Sequence, residues 1–170
     1  PYIERLNKTG SERIYVDNYF SSTLGGELAT TTVSGEYRHK FEDGQFLRYE
    51  FNNNAWVVYD KNGTRYQFGS STQARQYDAG DSSKVAKWML EEIRDTNDNF
   101  VRYVYLKESN EIYPSQVIYT GSGVSDGPLT IHFATSTRPD PYVRYIAGIK
   151  VTTNYRVSEI RASFNGEWVR

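Results

Sequence analysis

The chain is 170 residues long, carries 20 basic and 21 acidic side chains, and has no cysteine. The near balance of charge and the lack of any basic run argue against nucleic acid or an anionic membrane as the main partner, and the missing cysteines exclude disulfides and thiolate metal sites. Mean hydropathy is polar, at −0.70, yet 15 Tyr, 8 Phe and 3 Trp can build a core from large amphipathic rings rather than from many aliphatic side chains.

Taken in chain order, Pro1 to Gly35 is weakly patterned. Arg13-Ile14-Tyr15-Val16 reads as a strand, Gly25-Gly26 as a turn and Thr30-Thr31-Thr32-Val33 as a β segment. From Glu36 the pattern sharpens. Tyr37 to Phe41 leads into an Asp43-Gly44 turn, then Phe46 to Phe51, where Leu47, Tyr49 and Phe51 alternate onto one strand face. Asn52-Asn53-Asn54 is a turn. Trp56 to Tyr59 and Thr64 to Phe68 are strands joined at Asn62-Gly63, a step that favours the positive φ of a tight hairpin turn.

Ser70 to Ser83 is polar and reads as a loop. Lys84 to Asp95 is ambiguous: Val85, Trp88, Met89 and Ile93 fall at helical spacing, whereas Trp88 and Leu90 alternate. A strand is the preferred reading, with a short helix over 84–94 as the alternative. Asp95-Thr96-Asn97-Asp98-Asn99 then repeats the earlier turn, with Asp98 where Gly63 stood, and Val101, Tyr103 and Tyr105 alternate after it. Val117 to Tyr119 and Leu129 to Phe133 pair around the loop Gly121 to Gly127. Arg138-Pro139-Asp140-Pro141 predicts a break in regular structure. Tyr145 to Thr153 and Arg156 to Phe164 are strands, and Asn165-Gly166 turns the chain into Trp168-Val169-Arg170.

This pattern predicts an all-β fold of about ten to twelve antiparallel strands in consecutive hairpins, forming one large twisted sheet or an open sandwich. Residues 1–170 form a single β module, with 1–35 as leader strands and 36–170 as the hairpin series. The start at Pro1 and a last strand that is cut short at Arg170 suggest a piece of a longer polypeptide. No apolar stretch approaches the ~20 residues of a membrane helix, so this segment is not expected to insert into a membrane.

The run Trp56-Val57-Val58-Tyr59-Asp60-Lys61-Asn62-Gly63-Thr64-Arg65-Tyr66-Gln67-Phe68-Gly69, together with Lys87 to Asn99 and Val101 to Tyr105, resembles the SpvB-type module. That module lies at the N-terminal side of a Salmonella virulence protein and of Tc-toxin B subunits. Tyr145 to Arg170, and Tyr59-Asp60 followed by Gly63, are similar to the strand–turn–strand units of YD/RHS-repeat proteins. The resemblance covers Glu36 to Arg170. It implies a β module within a large secreted or surface bacterial shell or toxin-associated polypeptide, whose toxic activity resides in other regions. The implied partners are neighbouring β repeats or domains of the same polypeptide, or other toxin-complex subunits.

Candidate chemistry is sparse, and no enzyme is expected. The Glu-x-Glu pair of an ADP-ribosyltransferase is absent, and Thr135-Ser136-Thr137 alone is a polar strand end. His39 and His132 are the two available bases and no Gly-x-Ser-x-Gly elbow occurs, so both histidines read as packed or solvent-side strand residues. Glu91 and Glu92 are adjacent, which on a regular strand sends them to opposite faces. Asp95, Asn97 and Asn99 could converge on calcium, but Leu106 stands where an EF-hand needs its closing Glu, and the same residues make an ordinary turn. Gly121-Ser122-Gly123 is followed by Pro128 and a strand rather than by the helix a phosphate cradle requires. No cofactor is expected. The residues assigned to work are therefore structural: Asp43, Gly44, Asn62, Gly63, Asn97, Asp98, Asn165 and Gly166 in turns, and Trp56, Tyr66, Phe68, Trp88, Tyr103 and Tyr105 in packing. The expected function is a non-enzymatic structural module. The alternative is a carbohydrate- or receptor-binding module that presents tyrosines to surface glycans.

Overall fold

The structure is a computed structural model that describes residues 1–169. Its strands, in chain order, are β1 (Tyr2–Arg5), β2 (Phe20–Ser22), β3 (Gly26–Thr30), β4 (Glu36–His39), β5 (Arg48–Asn52), β6 (Ala55–Tyr59), β7 (Arg65–Phe68), β8 (Arg75–Asp78), β9 (Asp81–Arg94), β10 (Asn99–Glu108), β11 (Glu111–Ser122), β12 (Leu129–Ile146), β13 (Ile149–Phe164) and β14 (Glu167–Trp168). Each strand from β1 to β7 bonds the next, β7 bonds β9, and β9 returns to β1 through Tyr2↔Met89, Ile3↔Trp88 and Glu4↔Lys87. Eight strands thereby close a barrel. β8 lies beside β9 outside this ring, and β10 to β14 continue from β9 as an antiparallel extension. The all-β, antiparallel expectation holds. Ring closure goes further than the twisted sheet or open sandwich expected from the sequence.

Eight strands enclose an interior that side chains can just fill. Here Ile3, Phe20, Leu28, Tyr37, Tyr49, Trp56, Val58, Phe68, Trp88 and Leu90 meet as one buried cluster drawn from every strand of the ring. Aromatic edges meet aromatic faces at its centre: Phe20 and Trp56 lie 4.8 Å apart at 80°, and Trp56 and Trp88 lie 6.0 Å apart at 80°. Such pairs add about 0.5–1.5 kcal/mol each beyond area burial.

The ambiguity at 84–94 has a structural cause. The segment is strand β9, not helix, and it contains two bulges. Gln76 pairs with Lys87 but Tyr77 pairs with Val85, so Ala86 is an extra residue. Gln67 pairs with Glu92 but Phe68 pairs with Leu90, so Glu91 is another. Each bulge moves the next inward side chain from two positions on to three. Val85 and Trp88 both reach the core, as do Leu90 and Ile93, and this imitates a helical period.

Other expectations need correction. Ser70 to Ser83 is not all loop, because it holds β8 and the start of β9. Arg13 to Val16 is not a strand: Ser11–Arg13 is a 3-10 turn followed by further turn residues. β3 ends at Thr30, and β5 begins at Arg48 rather than Phe46. Arg138-Pro139-Asp140-Pro141 does not end the strand. It sits inside β12 as an irregularity, between the pairs Thr137↔Tyr155 and Tyr142↔Thr153. Ala147 and Gly148, both at positive φ, split the expected Tyr145 to Thr153 strand into a hairpin.

Candidate functional site

The turn residues fall into two geometries. Asn53-Asn54, Ser109-Asn110, Ala147-Gly148 and Asn165-Gly166 join strands through two residues at positive φ, as a type I′ hairpin demands. The Asn62-Gly63 step is different. Its loop runs from Asp60 to Thr64, with only Gly63 at positive φ, and closes through Gly63 N–H to Asp60 O and Asp60 N–H to Thr64 O. Asp95 to Asn99 repeats these bonds, with Asp98 in the left-handed position. There the Asp95 carboxylate accepts the backbone N–H groups of Asn97 and Asn99 and the Asn99 side-chain amide. Its oxygens are committed to the turn's own donors. Asp43 and Gly44 lie in a loop that continues to Phe46, itself at φ 55.

Of the six packing residues, Trp56, Phe68 and Trp88 are fully buried in the barrel core, and Tyr66 and Tyr103 pack against it half-buried. Tyr105 lies apart. Its hydroxyl donates to Leu90 O at 2.5 Å, and burial raises its pKa. Tyr103 and Tyr105 border a cleft of about 300 Å³ together with Gln67, Glu91, Glu92 and Arg102. The bulge at Glu91 explains why both adjacent glutamates reach the cleft, contrary to the opposite faces expected of a regular strand. Each is occupied: Glu91 accepts from Ser70 Oγ and Ser71 N, and Glu92 accepts from Arg94 and Arg65. Burial opposes ionisation of Glu92, but the two arginines outweigh it and hold the carboxyl below its ordinary value.

The histidines separate. His132 Nε2 lies 2.9 Å from the buried Ser163 Oγ, a contact that alternation along β12 alone does not reveal. Gln116, not a carboxylate, stands 3.5 Å from its other nitrogen, and the Trp168 ring packs on the imidazole. His39 is buried, with Nε2 2.6 Å from the Tyr49 hydroxyl.

The extension carries the other notable surface. Cross-strand register aligns Tyr119, Leu129 and Phe164 in one row, Val117, Ile131 and Ala162 in the next, and Phe133 with Ile160 in a third. Leu129, Ile160 and Phe164 are 41%, 62% and 50% exposed. This is an apolar sheet face with solvent over it, at the side where, among the described residues, the two-residue β14 leaves most of β13 unpaired.

The fold is thus that of a closed β barrel with a hairpin extension and an uncovered apolar face. The family described as the Salmonella virulence plasmid 65 kDa B protein matches residues 36–122, just over half of the chain, and the chain belongs to that family. Among solved structures, the N-terminal domain of effector protein SpvB from Salmonella typhimurium strain LT2 superimposes with a TM-score of 0.81 at 18% identity, over 95% of this chain and 74% of that one. A Photorhabdus luminescens Tc holotoxin pore matches with a TM-score of 0.77 at 19% identity, and a TcdB2–TccC3 structure with 0.75 at 18%. Both cover 95% of this chain, which spans 11% of the length of those chains. No curated protein sequence matches the chain.

Proposed function

We propose that this barrel and its extension are a non-enzymatic structural unit of a larger secreted, toxin-associated bacterial polypeptide, a shell or scaffold of the SpvB/RHS kind. The observation that carries the reading is the apolar face of β11, β12 and β13 beside the unpaired edge of β13. An edge strand left open with apolar side chains invites pairing, and contiguous exposed apolar surface of this sort marks an interaction site. The occupants that fit are further β segments of the same polypeptide, whose strands would cover the face and extend the wall. Relatives in which this unit is a small part of a much longer chain support that reading.

The test is a pair of charge substitutions, Ile160→Glu and Phe164→Glu, made both in this chain and in the longer polypeptide that contains it. Thermal stability of the chain alone is expected to stay within ~0.5 kcal/mol of the parent, since these are surface changes. In the longer polypeptide the same pair is expected to expose protease sites next to the barrel. An unchanged digestion pattern would argue against the scaffold role.

A second reading rests on the cleft bordered by Tyr103 and Tyr105, where two rings, two glutamates and Arg102 face one space. Ring faces beside polar side chains are groups on which a sugar could stack and hydrogen-bond. Glycan-array binding that disappears on Tyr103→Ala would favour it over the scaffold.

A further inference from the structure

We infer that His39, Glu42 and Asp43 form a binding site for one divalent transition-metal ion, with Zn²⁺ as the best fit. His39 ends β4 and points its ring inward, where the side chain has no exposure to solvent. The ring is fixed on two sides. Nε2 is 2.6 Å from the Tyr49 hydroxyl, and the imidazole lies close against Gly25, where a Cβ would stand 1.7 Å from Cε1. The remaining nitrogen, Nδ1, is buried and has no hydrogen-bond partner among the described residues. A buried polar atom without a partner is costly, and in a native structure it calls for an ion, a water or a chemical role.

That nitrogen points at two carboxylates. Asp43 Oδ1 lies 3.8 Å from Nδ1, and one ligand atom from each of His39, Glu42 and Asp43 falls within 4.8 Å of the others. Tetrahedral bonds of about 2.0–2.2 Å put ligand atoms about 3.3–3.6 Å apart. The groups therefore need to close by about an ångström, through movement of the exposed loop that carries both carboxylates together with the Gly44, Gln45 and Phe46 amides they hold. Neither Glu42 nor Asp43 has a lysine or arginine partner among the described residues. The Gly44 and Phe46 amides bond Glu42 and the Gln45 amide bonds Asp43, which fixes both side chains on the loop. Two carboxylate oxygens and one imidazole nitrogen are a hard-to-borderline donor set, which suits Zn²⁺ or Mn²⁺ better than calcium.

The partner of the other ring nitrogen agrees. A histidine that ligates through one nitrogen characteristically donates its other N–H to a fixed acceptor, which sets tautomer and orientation. Tyr49, fully buried, places its hydroxyl 2.6 Å from Nε2 and offers that acceptor. Three protein ligands at the surface leave the fourth position to water. The metal would tie the end of β4 to the following loop, so the role assigned is structural. It is independent of the scaffold reading above.

The experiment uses the purified chain stripped with chelator and titrated with ZnCl₂, followed by calorimetry and by thermal unfolding. One ion per chain and a rise in melting temperature are expected. Glu42→Gln with Asp43→Asn, both on the exposed loop, should weaken binding at least tenfold and remove the metal-dependent rise, each melting temperature being compared with that of the same variant without metal. His39→Gln should abolish binding, and His132→Gln should leave it unchanged. Absorption of the Co²⁺-substituted protein should report nitrogen and oxygen ligands and vanish in the loop variant. No heat and no thermal shift with Zn²⁺, Mn²⁺ or Co²⁺ would overturn the assignment. So would equal binding by the loop variant, or an Nδ1 proton on His39 that persists in saturating metal.

Discussion

Asp60 and Asp95 build the same loop in two adjacent hairpins. Each Oδ1 accepts the backbone N–H two residues on, at 2.8 Å in both loops, and the N–H four residues on, at 2.9 Å in both. The loops differ at the left-handed position, where Gly63 has φ 86 and Asp98 has φ 63. A side chain in that region meets its own backbone, and glycine does not. Asp98→Gly is therefore expected to stabilise the chain by about 0.5 kcal/mol, net of the extra freedom glycine gives the unfolded state. Gly63→Val is expected to destabilise it by about 2–3 kcal/mol, because a Cβ there would also sit 2.8 Å from Thr96 Cγ2 in the neighbouring loop. Urea midpoints of the two variants check the signs. A loss in the first or none in the second would count against the loop assignment.

The Asp95 carboxylate also gives a pH signature. The Asn99 side chain first, and then the turn amides, hold its pKa below the ordinary value. A group depressed in the folded state contributes stability that is present above its unfolded pKa and is lost as pH falls through the folded one. Asp95→Asn should accordingly cost most at neutral pH, and its difference from the parent should shrink below about pH 4, where the unfolded carboxyl protonates. Paired melting curves at neutral and acidic pH provide the measurement. A constant difference across that range would contradict the assigned role.

The strands from Glu36 to Phe68 were legible because each hairpin there is local. Asn-rich turns, alternating rings and strand lengths all agree, and the Trp56↔Phe68 pair falls where the alternation places it. Closure was not legible. It depends on β1 meeting β9, strands far apart in sequence, and nothing local in Tyr2 to Arg5 announces a partner. The leader also looked unpatterned because β1, β2 and β3 are short and contribute few inward side chains, chiefly Ile3, Phe20 and Leu28. In β9 the failure has a different origin, since bulges at Ala86 and Glu91 erased the period of two. The His39 site was hidden too. Its ligands are ordinary as residue types, and only the fold of the loop after β4 brings the carboxylates over the imidazole.

Trp56 and Trp88 are both fully buried, but their indole nitrogens differ. Trp88 Nε1 donates to Asn54 O at 2.8 Å, whereas Trp56 Nε1 has no partner among the described residues. Replacement by phenylalanine removes a satisfied donor in one case and an unsatisfied one in the other. A lost bond that strands a buried acceptor costs about 1–3 kcal/mol, and removing an orphan donor recovers part of its desolvation. Trp88→Phe is thus expected to destabilise by at least about 1 kcal/mol more than Trp56→Phe, while Trp88→Ala should cost about 3–5 kcal/mol through the cavity it opens. Chemical denaturation of the three variants would reveal the order. A Trp56→Phe loss equal to that of Trp88→Phe would show that ring packing alone decides.

Glu111 decides how firmly the extension is held. It begins β11, yet it accepts from Arg144 of β12 at 2.7 Å and from Thr153 Oγ1 of β13 at 2.6 Å, and its side chain is 14% exposed. The hairpin end beyond it packs Ile149 and Val151 on Ala86 of the barrel wall, and the Tyr15 hydroxyl donates to Ala147 O. Glu111→Ala removes the acceptor that Arg144 and Thr153 share, leaving the half-buried Arg144 guanidinium and the buried Thr153 hydroxyl without it, while the barrel interior keeps all of its contacts. Local opening then becomes easier than global unfolding. Amide exchange in Ile149 to Thr153 is expected to rise at least tenfold, with protection in Trp56 to Phe68 unchanged. Equal acceleration in both segments would mean that the extension and the barrel unfold as one unit and that Glu111 is not a separate latch.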